Sequence, residues 1–86
     1  MPEISRFFGI IIRMFLADHA PPHYHVEYAG RDATIEIESA AIVKGRLPPR
    51  VVGLVTEWTL LHRAELRRNW NRLQARRPPH RIAPLE

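Results

Sequence analysis

Three proline pairs, Pro21-Pro22, Pro48-Pro49 and Pro78-Pro79, constrain this 86-residue chain more than any other feature. Proline removes a backbone donor and restricts the residue before it, so each pair breaks regular structure. The chain falls into four stretches, and none of them repeats another. A chain of this length has surface enough for one core, so residues 1–86 are read as a single domain. With 45% hydrophobic and 26% charged residues, that domain is expected to fold rather than stay disordered.

Hydrophobic period assigns the stretches. Residues 7–16 read as strand 1, because Phe8, Ile10, Ile12, Met14 and Leu16 share one apolar face and Ile10-Ile11-Ile12 is β-branched. Residues 23–28 read as strand 2, with Tyr24, Val26 and Tyr28 opposed to His23, His25 and Glu27. Residues 32–38 read as strand 3, with Ala33, Ile35 and Ile37 on the apolar side. A two-residue turn at Ala29-Gly30 closes strands 2 and 3 into a hairpin. It pairs Tyr28 with Arg31, Val26 with Ala33, Tyr24 with Ile35, His25 with Thr34 and His23 with Glu36. Residues 41–44 offer a short fourth strand ended by Gly45.

A long helix is expected over residues 50–75, entered through Pro48-Pro49. Counting 100° per residue from Trp58, one apolar stripe takes in Val51, Leu54, Val55, Trp58, Leu61, Leu66 and Leu73. Residues 78–86 read as an extended tail that Ile82 and Leu85 can dock. The expected fold class is α+β: an antiparallel sheet of three or four strands with one long C-terminal helix packed on one face.

Cysteine is absent, which excludes disulfides, thiolate zinc sites and cysteine nucleophiles. The longest apolar run, Phe7–Ala17, is interrupted by Arg13 and is too short to span a bilayer. The start lacks the basic residues of a signal peptide, so a complete cytoplasmic protein without membrane attachment is expected. The net charge of +4 is unevenly placed: residues 1–61 sum to −1 and residues 62–86 to +5. Arginine supplies twelve of the thirteen bases, which suits forked contacts to phosphate or an acidic partner. A solvated helix face accounts for them equally simply, since no aromatic residue interleaves with the last arginines.

Chemistry concentrates in Asp18-His19-Ala20-Pro21-Pro22-His23-Tyr24-His25. His23 and His25, at i and i+2 on a strand, stand about 6.6 Å apart on one face. Three readings remain open. His23 and His25 can serve as general acid and base on RNA, with His19 completing the site and Arg13, Arg63 or Arg67 holding phosphate. A 2′-hydroxyl nucleophile would make a metal unnecessary. Alternatively His19, His23 and His25 ligate a divalent metal with a carboxylate, or the histidines simply line a solvated or partner-covered face.

A second cluster, His62, Glu65 and Asn69, lies at i, i+3 and i+7 along the helix. It reads as a satisfied polar network or as a second half of the site, if the helix end passes the loop holding His19. Trp70, off the stripe, is read as either packing or an interface rim.

These residues also carry a family resemblance. The opening Ile4-Ser5-Arg6-Phe7-Phe8-Gly9-Ile10, the His-x-x-Pro-His-x-His run at 19–25, Leu47-Pro48, and Glu57-Trp58 followed by His62, Glu65-Leu66 and Asn69-Trp70 resemble the small bacterial proteins grouped as domain of unknown function 4160. The resemblance implies a short protein encoded beside a second small one, commonly of the domain of unknown function 2442 family, in toxin–antitoxin-like pairs. Its motif histidines map onto His19, His23, His25 and His62, and its polar helix positions onto Glu65 and Asn69. Arg76-Arg77 and Pro79 look particular to this chain.

The leading expectation is therefore a toxin–antitoxin-like component acting on RNA through the histidine cluster without a required cofactor. The alternative is a non-enzymatic module that binds the small protein encoded next to it. A histidine-based metal-binding protein is third. A homodimer is compatible with each.

Overall fold

In a computed structural model that describes residues 2–16 and 18–86, two tight turns of identical backbone geometry shape the sheet. Phe8-Gly9 and Ala29-Gly30 each combine φ of 49° and 77°. Positive φ at both central residues matches the right-handed twist of flanking antiparallel strands, and glycine adopts it without strain. The first turn joins β1 (Glu3–Phe7) to β2 (Ile10–Arg13), and the second joins β3 (His23–Tyr28) to β4 (Arg31–Glu36). With β5 (Ile42–Gly45) they form a five-stranded antiparallel sheet in the order β1-β2-β3-β4-β5.

The single strand expected over 7–16 is thus two strands, and the sheet has five strands rather than three or four. The residues that read as one continuous apolar face contain a reversal. Phe8, expected to be core, is the turn residue and stays exposed, while Phe7 is buried against Ile10. Leu16 lies beyond β2 and is also exposed.

The β3–β4 hairpin has the expected register, pair for pair from Tyr28–Arg31 to His23–Glu36. One face of the sheet buries Ile10, Ile12, Tyr24, Val26, Ala33 and Ile35. Against it packs α1 (Pro49–Gln74), which starts with proline in its first turn. Trp58 is fully buried between the layers, with ring centroids 5.5 Å from Phe7 and 5.7 Å from Tyr24. The Tyr24 hydroxyl donates to Thr59 Oγ1, which donates in turn to the Val55 carbonyl at 2.7 Å.

The buried stripe of α1 is Val51, Val55, Trp58, Thr59, Leu66, Asn69, Trp70 and Leu73. Its centre lies about 60° around the helix from Trp58 at 100° per residue. That rotation admits Thr59 and Trp70 and leaves Leu61, expected in the stripe, 65% exposed. His62 has non-helical angles (φ −118°, ψ 21°), so the helix kinks one residue later. It ends in a Schellman arrangement: Arg76, at φ 60°, donates to the Leu73 carbonyl and Arg77 to that of Arg72.

The tail is tied to both layers. Ile82 N–H donates to the Ile4 carbonyl at 2.8 Å, and the Trp58 indole donates to the Ala83 carbonyl at 2.9 Å. Asn69 both donates to the His80 carbonyl and accepts from its N–H, each at 2.8 Å. Ile82 and Leu85 are buried beneath it.

Gly45 has a second constraint besides its φ of +84°: a Cβ built there would lie 2.1 Å from the Asp32 carbonyl oxygen. Gly30, at φ +77°, has nothing within 4 Å of such an atom. Gly30→Ala should therefore cost only the strain of a left-handed residue, about 1–2 kcal/mol. Gly45→Ala should cost more than Gly30→Ala in urea unfolding, because β5 must also move off β4; equal costs would contradict this account of the edge strand.

Candidate functional site

The alternation that buries Tyr24 and Val26 sends His23 and His25 the other way. Between β2 and β3 the chain turns through Asp18 and the Ala20–Pro21 cis peptide bond. This loop brings the Asp18 carboxylate over the start of β3. Asp18 Oδ2 lies 2.9 Å from His23 Nε2 and 3.0 Å from His25 Nε2. The two rings are 5.1 Å apart and nearly perpendicular. Asp18 Oδ1 accepts the His19 backbone N–H at 3.1 Å.

Burial raises the pKa of the Asp18 carboxyl, but hydrogen bonds from His25 and His23, the His23 charge and the His19 N–H together hold it below the usual carboxylate range. His23 Nδ1 sits 2.8 Å from the Pro21 carbonyl, which can only accept, so that nitrogen carries a hydrogen. His23 Nε2 can then donate to Asp18 only by holding a second proton.

Aromatic rings hold both imidazoles. Phe15 meets the His25 ring edge-on at 4.5 Å, and Trp70 packs on His23 at 5.3 Å. Gln74, the last residue of α1, donates to the Asp18 backbone carbonyl at 3.0 Å. The end of the helix does pass this loop, as the sharper reading of the second cluster required. The residues it brings are Trp70 and Gln74.

His62, Glu65 and Asn69 go elsewhere. His62 Nδ1 pairs with Glu65 at 2.6 Å and packs on Trp58, while Asn69 fastens the tail. The polar network reading therefore describes Asn69. The His19 ring is exposed, and His19 reaches Asp18 through its backbone. Among the described residues, the groups close enough to share one metal ion are Asp18, His23 and His25. Asp18 thus stands where the sequence suggested His19.

The three arginines expected to bind phosphate already have partners. Arg13 pairs with Glu27, and Arg63 donates to the Ile37 carbonyl at 3.2 Å. Arg67 holds Glu38 with two hydrogen bonds, one of 2.6 Å, and these keep the Glu38 carboxyl below its ordinary pKa. Only Arg13 adjoins the cluster, directly opposite His25 in the β2–β3 register. With Phe15, His25, Glu27, Thr34 and Lys44 it lines an open concavity of about 360 Å³ on the sheet face away from α1.

Asp18 and Gln74 were not assigned roles from the sequence, and Trp70 was read as packing or an interface rim without reference to His23. Asp18 adjoins the histidine run and carries a metal-compatible side chain, so a local signal existed. Gln74 had none, and the contact of Trp70 with His23 had none, since both depend on where the helix ends. Among the described residues no helix is long and apolar enough to cross a membrane. The model of the family described as Domain of unknown function (DUF4160) matches residues 9–71. No curated protein and no solved structure matches the chain.

Because the folded Asp18 pKa is depressed, its contribution to stability is full above the unfolded value of 3.8 and is lost as pH falls through the lower folded value. Asp18→Asn should be less stable than the parent near neutrality, by about 1–3 kcal/mol. That gap should close on acidification below pH 3.8 in urea unfolding. A gap that is constant from neutral to acid pH would contradict the carboxylate's role.

Proposed function

This chain belongs to the Domain of unknown function (DUF4160) family, and we propose that it acts on RNA phosphodiesters as one component of a toxin–antitoxin-like pair. The observation that carries the reading is one carboxylate oxygen gathering two imidazoles beside an open pocket. His25 donates from Nε2 to Asp18, as a base oriented by a carboxylate does, and its Nδ1 has no hydrogen-bond partner among the described residues. His23, whose Nδ1 hydrogen faces the Pro21 carbonyl, is the acid when its Nε2 also carries a proton.

In the reaction, His25 takes the proton of a 2′-hydroxyl whose oxygen attacks the adjacent phosphorus. The bond to the 5′-oxygen breaks, and His23 protonates the departing oxygen. The products are a cyclic phosphate and a free 5′-hydroxyl, with no metal needed in the balance. Lys44, from the pocket wall, neutralises the phosphate, and Arg13 adds to this by exchanging its Glu27 partner for a phosphate oxygen. His19, exposed beside Asp18, completes the rim.

One observation favours the interaction reading as a second possibility. The outer edge of β1 is joined by the tail at Ile4, whereas β5 has an open edge with Val43 exposed. An extended segment of the neighbouring small protein would add there as a further strand.

Cleavage of unstructured RNA by metal-free protein tests the primary reading, with growth arrest on expression as a second readout. His25→Ala and His23→Ala should each lower the cleavage rate by roughly 10²–10⁴-fold, the share of one acid–base partner. Lys44→Ala should act mainly on KM. A His23→Ala/His25→Ala protein that cleaves and arrests growth as the parent does would overturn it.

A further inference from the structure

We infer that Asp18, His23 and His25 form a binding site for a late divalent transition-metal ion, with zinc its natural class of ligand. One ligand atom from each of Asp18, His23 and His25 lies within 4.8 Å of the other two, and Asp18 Oδ2 faces Nε2 of both rings. In a tetrahedral zinc site with bonds of about 2.0–2.2 Å, neighbouring ligand atoms stand about 3.3 Å apart. The oxygen-to-nitrogen separations here are 2.9 and 3.0 Å, so a few tenths of an ångström opens these two edges, and the third lies within 4.8 Å.

The outer contacts point the same way. A ligating histidine characteristically gives its other N–H to a carbonyl, which fixes the tautomer and aims the lone pair at the ion. The Pro21 carbonyl does this for His23 at 2.8 Å. With Nδ1 protonated, a neutral His23 directs its Nε2 lone pair at a carboxylate oxygen, a repulsive pair that a cation between them turns into two bonds. Phe15 and Trp70 hold the rings, and Gln74 holds the Asp18 backbone. Two imidazoles and one carboxylate select zinc, cobalt, nickel or copper over magnesium or calcium.

All three side chains are partly exposed, so an ion can enter and a water can fill a fourth position. Elsewhere among the described residues, no other group of three candidate ligands comes within this distance. Resting on the preceding reading, the ion also has a regulatory meaning. It occupies the nitrogens that acid–base chemistry uses, so zinc-loaded protein does not cut RNA.

The test is a titration of tag-free, chelator-treated protein with Co²⁺ followed by optical spectroscopy, and with Zn²⁺ followed by calorimetry. One ion per chain and the visible bands of four-coordinate cobalt are expected. His25→Ala and Asp18→Asn should weaken binding by more than the roughly 10–100-fold typical of losing an outer-shell partner. His62→Ala should bind as the parent does. Since a site variant can lose its fold, each is checked by circular dichroism, and the parent supplies a second readout: ring nitrogen resonances of His23 and His25 should shift with zinc while those of His62 and His80 stay. Uptake well below one ion per chain, equal binding by folded His25→Ala, or shifts at His62 or His80 instead would overturn the site. Protein that binds zinc yet never cuts RNA refutes the preceding reading alone, whereas protein that cuts RNA and takes up no zinc refutes this one alone.

Discussion

The register of one hairpin governs both halves of this protein. With Tyr28 opposite Arg31, every second residue of β3 turns toward α1 and the rest turn away. Tyr24 and Val26 are thereby delivered to the core, and His23 and His25 to Asp18. A slip of one residue would bury two imidazoles and expose a tyrosine and a valine. Core and site are therefore selected together, and the stability of the first specifies the geometry of the second. Trp58 reinforces the choice from the other layer. It is fully buried, touches β1 and β3, and donates to the tail, so sheet, helix and C-terminus meet at one side chain.

Within the site the organising group is the Asp18 carboxylate. It accepts from two rings and a backbone N–H, and its own carbonyl is fixed by the last residue of the helix. A charged acceptor with this many donors rigidifies the loop and gives both histidines defined orientations. The same arrangement supports two uses that exclude each other, acid–base chemistry and metal ligation, because both need the Nε2 positions.

Much of the fold was legible because its signals are local. Alternation in residues 23–28 and 31–36 fixed the hairpin register, and Pro48-Pro49 marked the helix entry. The turn at Phe8-Gly9 escaped notice because the apolar residues on either side of it run on in sequence, although the chain reverses there. The helix stripe was misplaced by about 40°. Leu61 was assigned by hydrophobicity, whereas the burial of Thr59 and Trp70 depends on Tyr24 and His23 across the interface. The arginines show a similar limit. Their charge is plain in the sequence, but the partnering of Arg67 by Glu38 and Arg63 by Ile37 arises only when the helix crosses the end of β4.

The central claim, that Asp18 gathers and orients two imidazoles, is tested most directly by histidine ring ¹⁵N resonances in metal-free protein. Opposite assignments are expected for the two rings in their neutral forms: His23 with hydrogen on Nδ1, facing Pro21, and His25 with hydrogen on Nε2, facing Asp18. In Asp18→Asn the His25 preference should collapse while that of His23 for Nδ1 persists. Rings that average freely between tautomers in the parent, or a His25 unaffected by loss of the carboxylate, would contradict the account.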